Sequence, residues 1–350
     1  MVIPIVGATG FYWPLTFYSA EAGPLIAAVG AIAWTGVLQR SSRGNLRPAS
    51  NPGIVLLVLV ALLANIATTD FGSPGVLEAN LYVTLVCLPI CALCASDDVI
   101  VPPHLVLWLN AAFMMLALGF EQVEDSVNRI SRGHISWIAA VASVYLAYER
   151  RLRRTQLAAV IALCTVTMIR SESLGPLLAA AVAVAVLLFK SRTRAASAAH
   201  EHARVWSLTV VGSAAALVLL NRFLSELHGA RRDAIGANTA LRRDALFAVL
   251  SDPPLVGYGL GNDNASTGPD ALQSAGHAHN FIFEGLVIAG IAGLVCALLV
   301  LVLLVRGAIG LPPFESAIVA GTTTAFLFSG RMLYAPLLWL AVGLSTRRRR

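Results

Sequence analysis

Leu255 to Gly293 reads LVGYGLGNDNASTGPDALQSAGHAHNFIFEGLVIAGIAG. The stretch opens in a glycine-rich turn, crosses a polar segment, meets His277, Ala278, His279 and Asn280, and enters a long apolar run. Runs of this kind recur along the chain at the length that crosses a hydrocarbon core about 30 Å thick. The composition agrees, with 57% hydrophobic and 13% charged residues and a mean hydropathy of +0.75. Soluble domains carry roughly twice that charged share. The chain therefore reads as an all-α, polytopic membrane protein. Imidazoles, amides and flexible backbone gathered at the mouth of one membrane helix mark where chemistry is expected.

Working outward, polar breaks and Pro/Gly punctuation divide the chain into about twelve spans. They are 2–19, 23–39, 53–69, 76–95, 103–120, 134–149, 155–169, 174–189, 205–220, 280–305, 314–329 and 331–345. No basic region precedes the first apolar run, so Met1 onward reads as a span and not as a removable signal. Three regions follow: spans one to nine over 1–220, the single long loop 221–279, and three spans with a basic tail over 280–350. Cys87, Cys91, Cys94, Cys164 and Cys296 all lie in apolar runs, so no structural disulfide is expected. The first three share one helical face, and packing between helices explains them better than a soft-metal site.

The formal net charge of +6 matters less than its placement. Arg and Lys cluster in 39–48, 149–154, 190–204, at Arg306 and in Arg347 to Arg350, a pattern that sets topology and does not argue for nucleic acid. Counting one crossing per span puts all of these on one side, the cytoplasmic one, with both termini. The acidic boundary 96–102 lands there too and fits the rule least well. The outward side receives 121–133, the turn at Arg170, the loop 221–279 and the turn at Arg331.

Arginines placed outward run against the rule and need a reason. Arg170 stands beside Ser171, Glu172 and Ser173 at the outer end of a hairpin, and Arg331 sits in a very tight one. Guanidinium groups bind phosphate oxygens in forked pairs, so an anionic ligand at headgroup depth fits them; a single arginine at a helix end also snorkels to lipid phosphates without any substrate. Within the loop, Leu241, Ala245, Leu246, Val249 and Leu250 keep helical spacing, giving a short amphipathic helix that carries Arg242 and Arg243. These two contact either lipid phosphates or a substrate diphosphate. Gly257, Gly259 and Gly261 lack the strand–helix setting of a dinucleotide fingerprint and suit a tight turn with close approach to a ligand. His277 and His279 have no third metal ligand nearby. His279, directly before Asn280 at a helix start, is placed to stay neutral and act as a general base.

In chain order, IRSES (169–173), RRDALF (242–247), PLVGYGLGN (254–262) and HNFIFEGLVIAGIAG (279–293) resemble the O-antigen ligase and Wzy-type polymerase superfamily. The resemblance covers 169–345; the N-terminal half is similar only as a set of spans. It implies a metal-independent glycosyltransferase of the GT-C type with twelve membrane helices and no cofactor. Such enzymes take a glycan from undecaprenyl diphosphate on the periplasmic face of the bacterial inner membrane. They pass it to lipid A–core, to a growing polysaccharide or to a protein. The family's hairpin arginine corresponds to Arg170, its loop arginine to Arg243 or Arg242, and its catalytic histidine to His279. His277, Asn280, Gly259, Gly261 and Arg331 are the candidate supporting residues. In one respect the chain departs from the pattern: Phe247 replaces a tryptophan four residues after Arg243 and lies closer to Pro254, so the loop helix is one turn shorter. The choice between Arg242 and Arg243 stays open on that account.

The alternative from another class is a transporter or flippase for a lipid-linked or anionic glycan. It calls for ionisable residues at central span positions and an internal repeat; Glu172 and Glu284 are the nearest candidates, and both lie towards the outer end. A structural subunit of an envelope assembly would have no use for the histidines.

Overall fold

The computed structural model describes residues 87–95, 102–119, 129–171, 174–193, 240, 243–244, 246–258, 280–328 and 336–347. All regular structure among them is helical: α1 Leu88–Cys94, α2 Pro103–Gly119, α3 Arg129–Tyr148, α4 Arg154–Ser171, α5 Leu174–Thr193, α6 Phe281–Gly310, α7 Pro313–Phe328 and α8 Pro336–Ser345. The expected spans 2–19, 23–39, 53–69 and 205–220 lie outside the described residues. By length and composition α6 is able to cross a membrane, and the apolar stretches Pro103–Met115, Gly133–Tyr148, Arg154–Met168 and Gly175–Ser191 are shorter.

Local signals explain several boundaries. Proline opens α2 and α7, where its missing N–H has no helical partner to lose. Between α3 and α4 the chain turns through Arg150, which adopts a left-handed φ of 57°. The Arg150 amide donates to the Ala147 carbonyl and the Arg151 amide to that of Leu146, the paired bonds of a Schellman stop. At the start of α4, the Gln156 side chain accepts from the Arg153 amide at 3.0 Å.

Packing centres on Trp137 of α3, which is fully buried. It lies against Gly321 of α7, where a Cβ would stand 2.7 Å from the ring. The Trp137 Nε1–H donates to His134 Nδ1 at 3.0 Å, and the His134 ring stacks on Phe326 with centroids 5.4 Å apart. α5 packs most extensively on α7, α3 touches α2, α4 and α5, and α8 joins α1, α6 and α7. Polar side chains in these helices bond back to their own backbone: Asn110 to Val106, Ser143 to Ala140, Thr167 to Leu163 and Thr323 to Val319. Such back-bonding lets hydroxyls and amides sit in hydrocarbon without an unpaired donor.

At one end of the bundle the helix termini are tied by cations. Lys190 Nζ of α5 donates to the carbonyls of Ile309 and Leu311 and to Ser316 Oγ, at 2.6–2.7 Å. It thereby satisfies the C-terminal carbonyls of α6 and complements the negative end of that helix. Arg347, just past α8, pairs with Glu315 of α7 at 3.0 Å with both side chains nearly buried, and its Nε donates to the Cys94 carbonyl at 2.7 Å. Tyr148 of α3 reaches the Ser191 carbonyl of α5 at 2.9 Å. The ends of α1, α3, α5, α6 and α8 and the starts of α4 and α7 thus gather together, with the basic turn 149–154 among them. Lys190→Met is expected to cost about 1–2 kcal/mol, the scale of a charged hydrogen-bond donor removed from partly exposed acceptors, read as a lowered thermal midpoint in detergent.

At three places the helices add to the sequence reading. Residues 129–133, assigned to an outer polar segment, belong to α3, because a helix does not stop where apolar residues stop. Lys190, assigned with a basic loop, lies within α5 and caps α6. The span 280–305 falls in α6, which is broken at Ala289 (φ −128°, ψ 22°) and Gly290 (φ 62°, ψ −147°). The break has a structural cause, which the loop supplies.

Candidate functional site

Opposite the cation-tied end, α6 begins at Asn280. Its backbone is extended (φ −151°, ψ 132°), and its Oδ1 accepts from the Ile282 amide at 2.9 Å. That is an N-cap, which satisfies one of the orphan amides of a helix start. The Asn280 Nδ2 donates to the Leu327 carbonyl at 2.9 Å, fastening the start of α6 to the end of α7. Glu284 is buried in the first turn, where the helix dipole favours negative charge.

The loop packs onto this first arm of α6. Residues 246–251 are helical, and Val249 is buried with Leu286 and Val287, with Tyr258 and Leu294 packed around them. A turn follows. The Tyr258 amide donates to the Val287 carbonyl at 2.7 Å, and the Ile291 amide donates to the Leu255 carbonyl at 3.3 Å. In an unbroken helix Ile291 would donate to Val287; here the turn takes both groups. Gly257 (φ 89°) lies against the Ile288 carbonyl and Gly290 against the Leu255 carbonyl, so closely that a Cβ on either would collide. Gly290 also occupies a backbone region open essentially to glycine alone.

Of the residues singled out by sequence, Asn280 stands at the helix start. Arg243 is helical and exposed, and its guanidinium contacts Asp244 Oδ1 at 3.0–3.1 Å, so an incoming phosphate would compete with that carboxylate. Phe247 is also exposed. Arg170 lies in the last turn of α4. Because α4 leaves α3 at the cation-tied end, this turn stands at the same end of the bundle as Asn280. His279, His277, Arg242, Gly259, Gly261 and Arg331 lie outside the described residues. Among the described residues, no group of three or more His, Cys, Asp or Glu is placed to hold a metal ion, and none of the five cysteines is in a disulfide.

Sequence reasoning missed the pairing of Gly257 with Gly290; only their presence as spaced glycines hinted at it. The Leu327 carbonyl, a backbone acceptor, left no signal at all.

Residues 157–298 match the family model described as O-antigen ligase. Over this stretch the chain is similar to the O-antigen ligase family. The O-antigen ligase match opens within α4 and closes within α6, so it contains Arg170, the loop arginines, the Leu255–Tyr258 turn, the histidines and Asn280. Arg331 falls beyond it. No curated protein and no solved structure matches the chain.

Proposed function

We propose that this protein transfers a glycan from an undecaprenyl-diphosphate carrier to an acceptor hydroxyl, with inversion and without a metal ion. It would act as an O-antigen ligase or a polysaccharide polymerase on the periplasmic face of the bacterial inner membrane. The observation that carries the reading is the O-antigen ligase match over 157–298, which holds both arginine elements and the histidine in one continuous segment. In support, Asn280 caps the helix that directly follows His279, and basic residues collect at the opposite end of the bundle. That end faces the cytoplasm under the positive-inside rule, with both termini on the same side.

In this scheme His279 removes the acceptor hydroxyl proton as a general base. The oxygen attacks the anomeric carbon from the side opposite the diphosphate, the glycosidic bond forms, and the carbon–oxygen bond to the carrier breaks. The carrier diphosphate leaves with its negative charge matched by Arg170 and by Arg243 or Arg242. Preorganised charge of this kind is usually the largest catalytic contribution. Guanidinium groups suit it because their planar fork meets two phosphate oxygens at once. Lipid A–core and a growing polysaccharide are the two acceptor classes this reading admits.

Reconstitution of the purified protein in vesicles with a purified lipid-linked glycan tests the proposal. A new glycosidic bond, formed equally well with chelator present, is the expected result. Movement of the carrier across the bilayer with no bond formed would overturn it in favour of transport.

A further inference from the structure

We infer that the Leu255–Tyr258 turn is a backbone clasp, and that Gly257 and Gly290 are positioning residues which hold the arginine-bearing loop in register with the start of α6. The inference rests on the functional reading above, because it assigns the turn a task within that same site.

Three independent contacts make the clasp. Two hydrogen bonds, Tyr258 N–H to Val287 and Ile291 N–H to Leu255, replace the one that α6 would make within itself. Both glycines face a carbonyl on the opposite side of the clasp at a distance no side chain tolerates, and both have positive φ. Val249 plugs the loop helix into Leu286 and Val287 a little further along. Groups at this depth have no ready water to turn to. If Arg306 stands at the inner boundary, about 30 Å counted back at about 1.5 Å per residue reaches Leu286, so the break lies just inside the outer boundary. There an open helix carbonyl and amide each need a protein partner, and the turn is that partner.

The chemical consequence follows from what stands at either side. Arg243 lies at the start of the loop helix, a few residues before Val249. Asn280 opens the arm of α6 that ends in the clasp, and His279 is its neighbour in sequence. A proton acceptor and a phosphate cradle must be placed together to better than about 1 Å, since a displacement of that size costs on the order of 10²-fold in rate. Between those two groups the chain runs through the polar segment 259–279, which is far too long to fix a distance by itself. The clasp shortens that path to a handful of backbone bonds.

Gly290→Ala tests the inference. Amide exchange at Tyr258 and Ile291 should accelerate, and kcat for glycan transfer should fall by about ten- to a hundredfold, with the KM for the acceptor changed less than threefold. In an Arg242→Ala, Arg243→Ala background the same substitution should cost less than threefold, because the arginines being positioned are gone. Equal losses in both backgrounds would mean a general structural role and would overturn the inference, as would faster exchange with unchanged kcat. Should Gly290→Ala fail to accumulate, Val249→Ala removes the loop's plug without touching α6, and the same double-mutant cycle decides in the same way. Wild-type transfer by Arg243→Ala and His279→Ala would instead sink the functional reading, while the exchange measurement would still report whether the clasp exists.

Discussion

His279→Ala is expected to lower glycan transfer by about 10²- to 10⁴-fold, the contribution of a positioned general base, while the protein still inserts and accumulates. His279 directly precedes the Asn280 cap, which the substitution leaves in place. The loss should therefore appear in ladder gels of lipopolysaccharide or polymer and not in protein abundance. Long glycans on the His279→Ala strain at wild-type level would remove His279 from the mechanism. His277→Ala, made beside it, separates the two imidazoles: a mild effect assigns proton transfer to His279 alone.

Arg170→Lys carries the second-largest expectation, a loss on the order of 10²-fold in kcat. The charge is kept, so an effect of charge alone predicts little change. What lysine lacks is the planar fork that meets two diphosphate oxygens together and the five donors that stay charged when desolvated. Arg170 occupies the last turn of α4, at the bundle end where Asn280 fastens α6 to α7. A residue that merely snorkels to lipid headgroups would tolerate lysine, so wild-type transfer by Arg170→Lys would assign it to that plain role.

Much of the helix layout was legible because its signals are local. Pro102-Pro103 marks the start of α2 and Pro312-Pro313 the start of α7, each an apolar run opened by a residue that resists helix on one side, and α4 starts where the basic run 149–154 gives way to apolar residues. The cap at Asn280 was legible for the same reason. The break in α6 was not, since Ile288, Ala289, Gly290 and Ile291 are as apolar as the residues around them and hydropathy does not register a change in hydrogen-bond partner. Lys190 and Arg347 look in sequence like loop charges, because a pattern of charges cannot tell a cation in solvent from one that caps a neighbouring helix. Within the site, residue types pointed to His279 and the arginines, whereas the groups that join the loop turn and α7 to α6 are backbone ones: the carbonyls of Leu255, Val287 and Leu327. Those are identical in every residue and so leave no mark on the chain.

The partners of the break in α6 also arrive in a definite order during synthesis. Leu255 and Tyr258 precede α6, so their carbonyl and amide are already made when Val287 and Ile291 follow them. The bent helix is therefore completed by a segment that is waiting for it, through contacts between near neighbours in sequence, the kind that form fastest. Placed after α6, the same turn would have to displace a finished helical hydrogen bond. The turn and α6 follow one another along the chain in an order by which the interrupted helix never has to be opened.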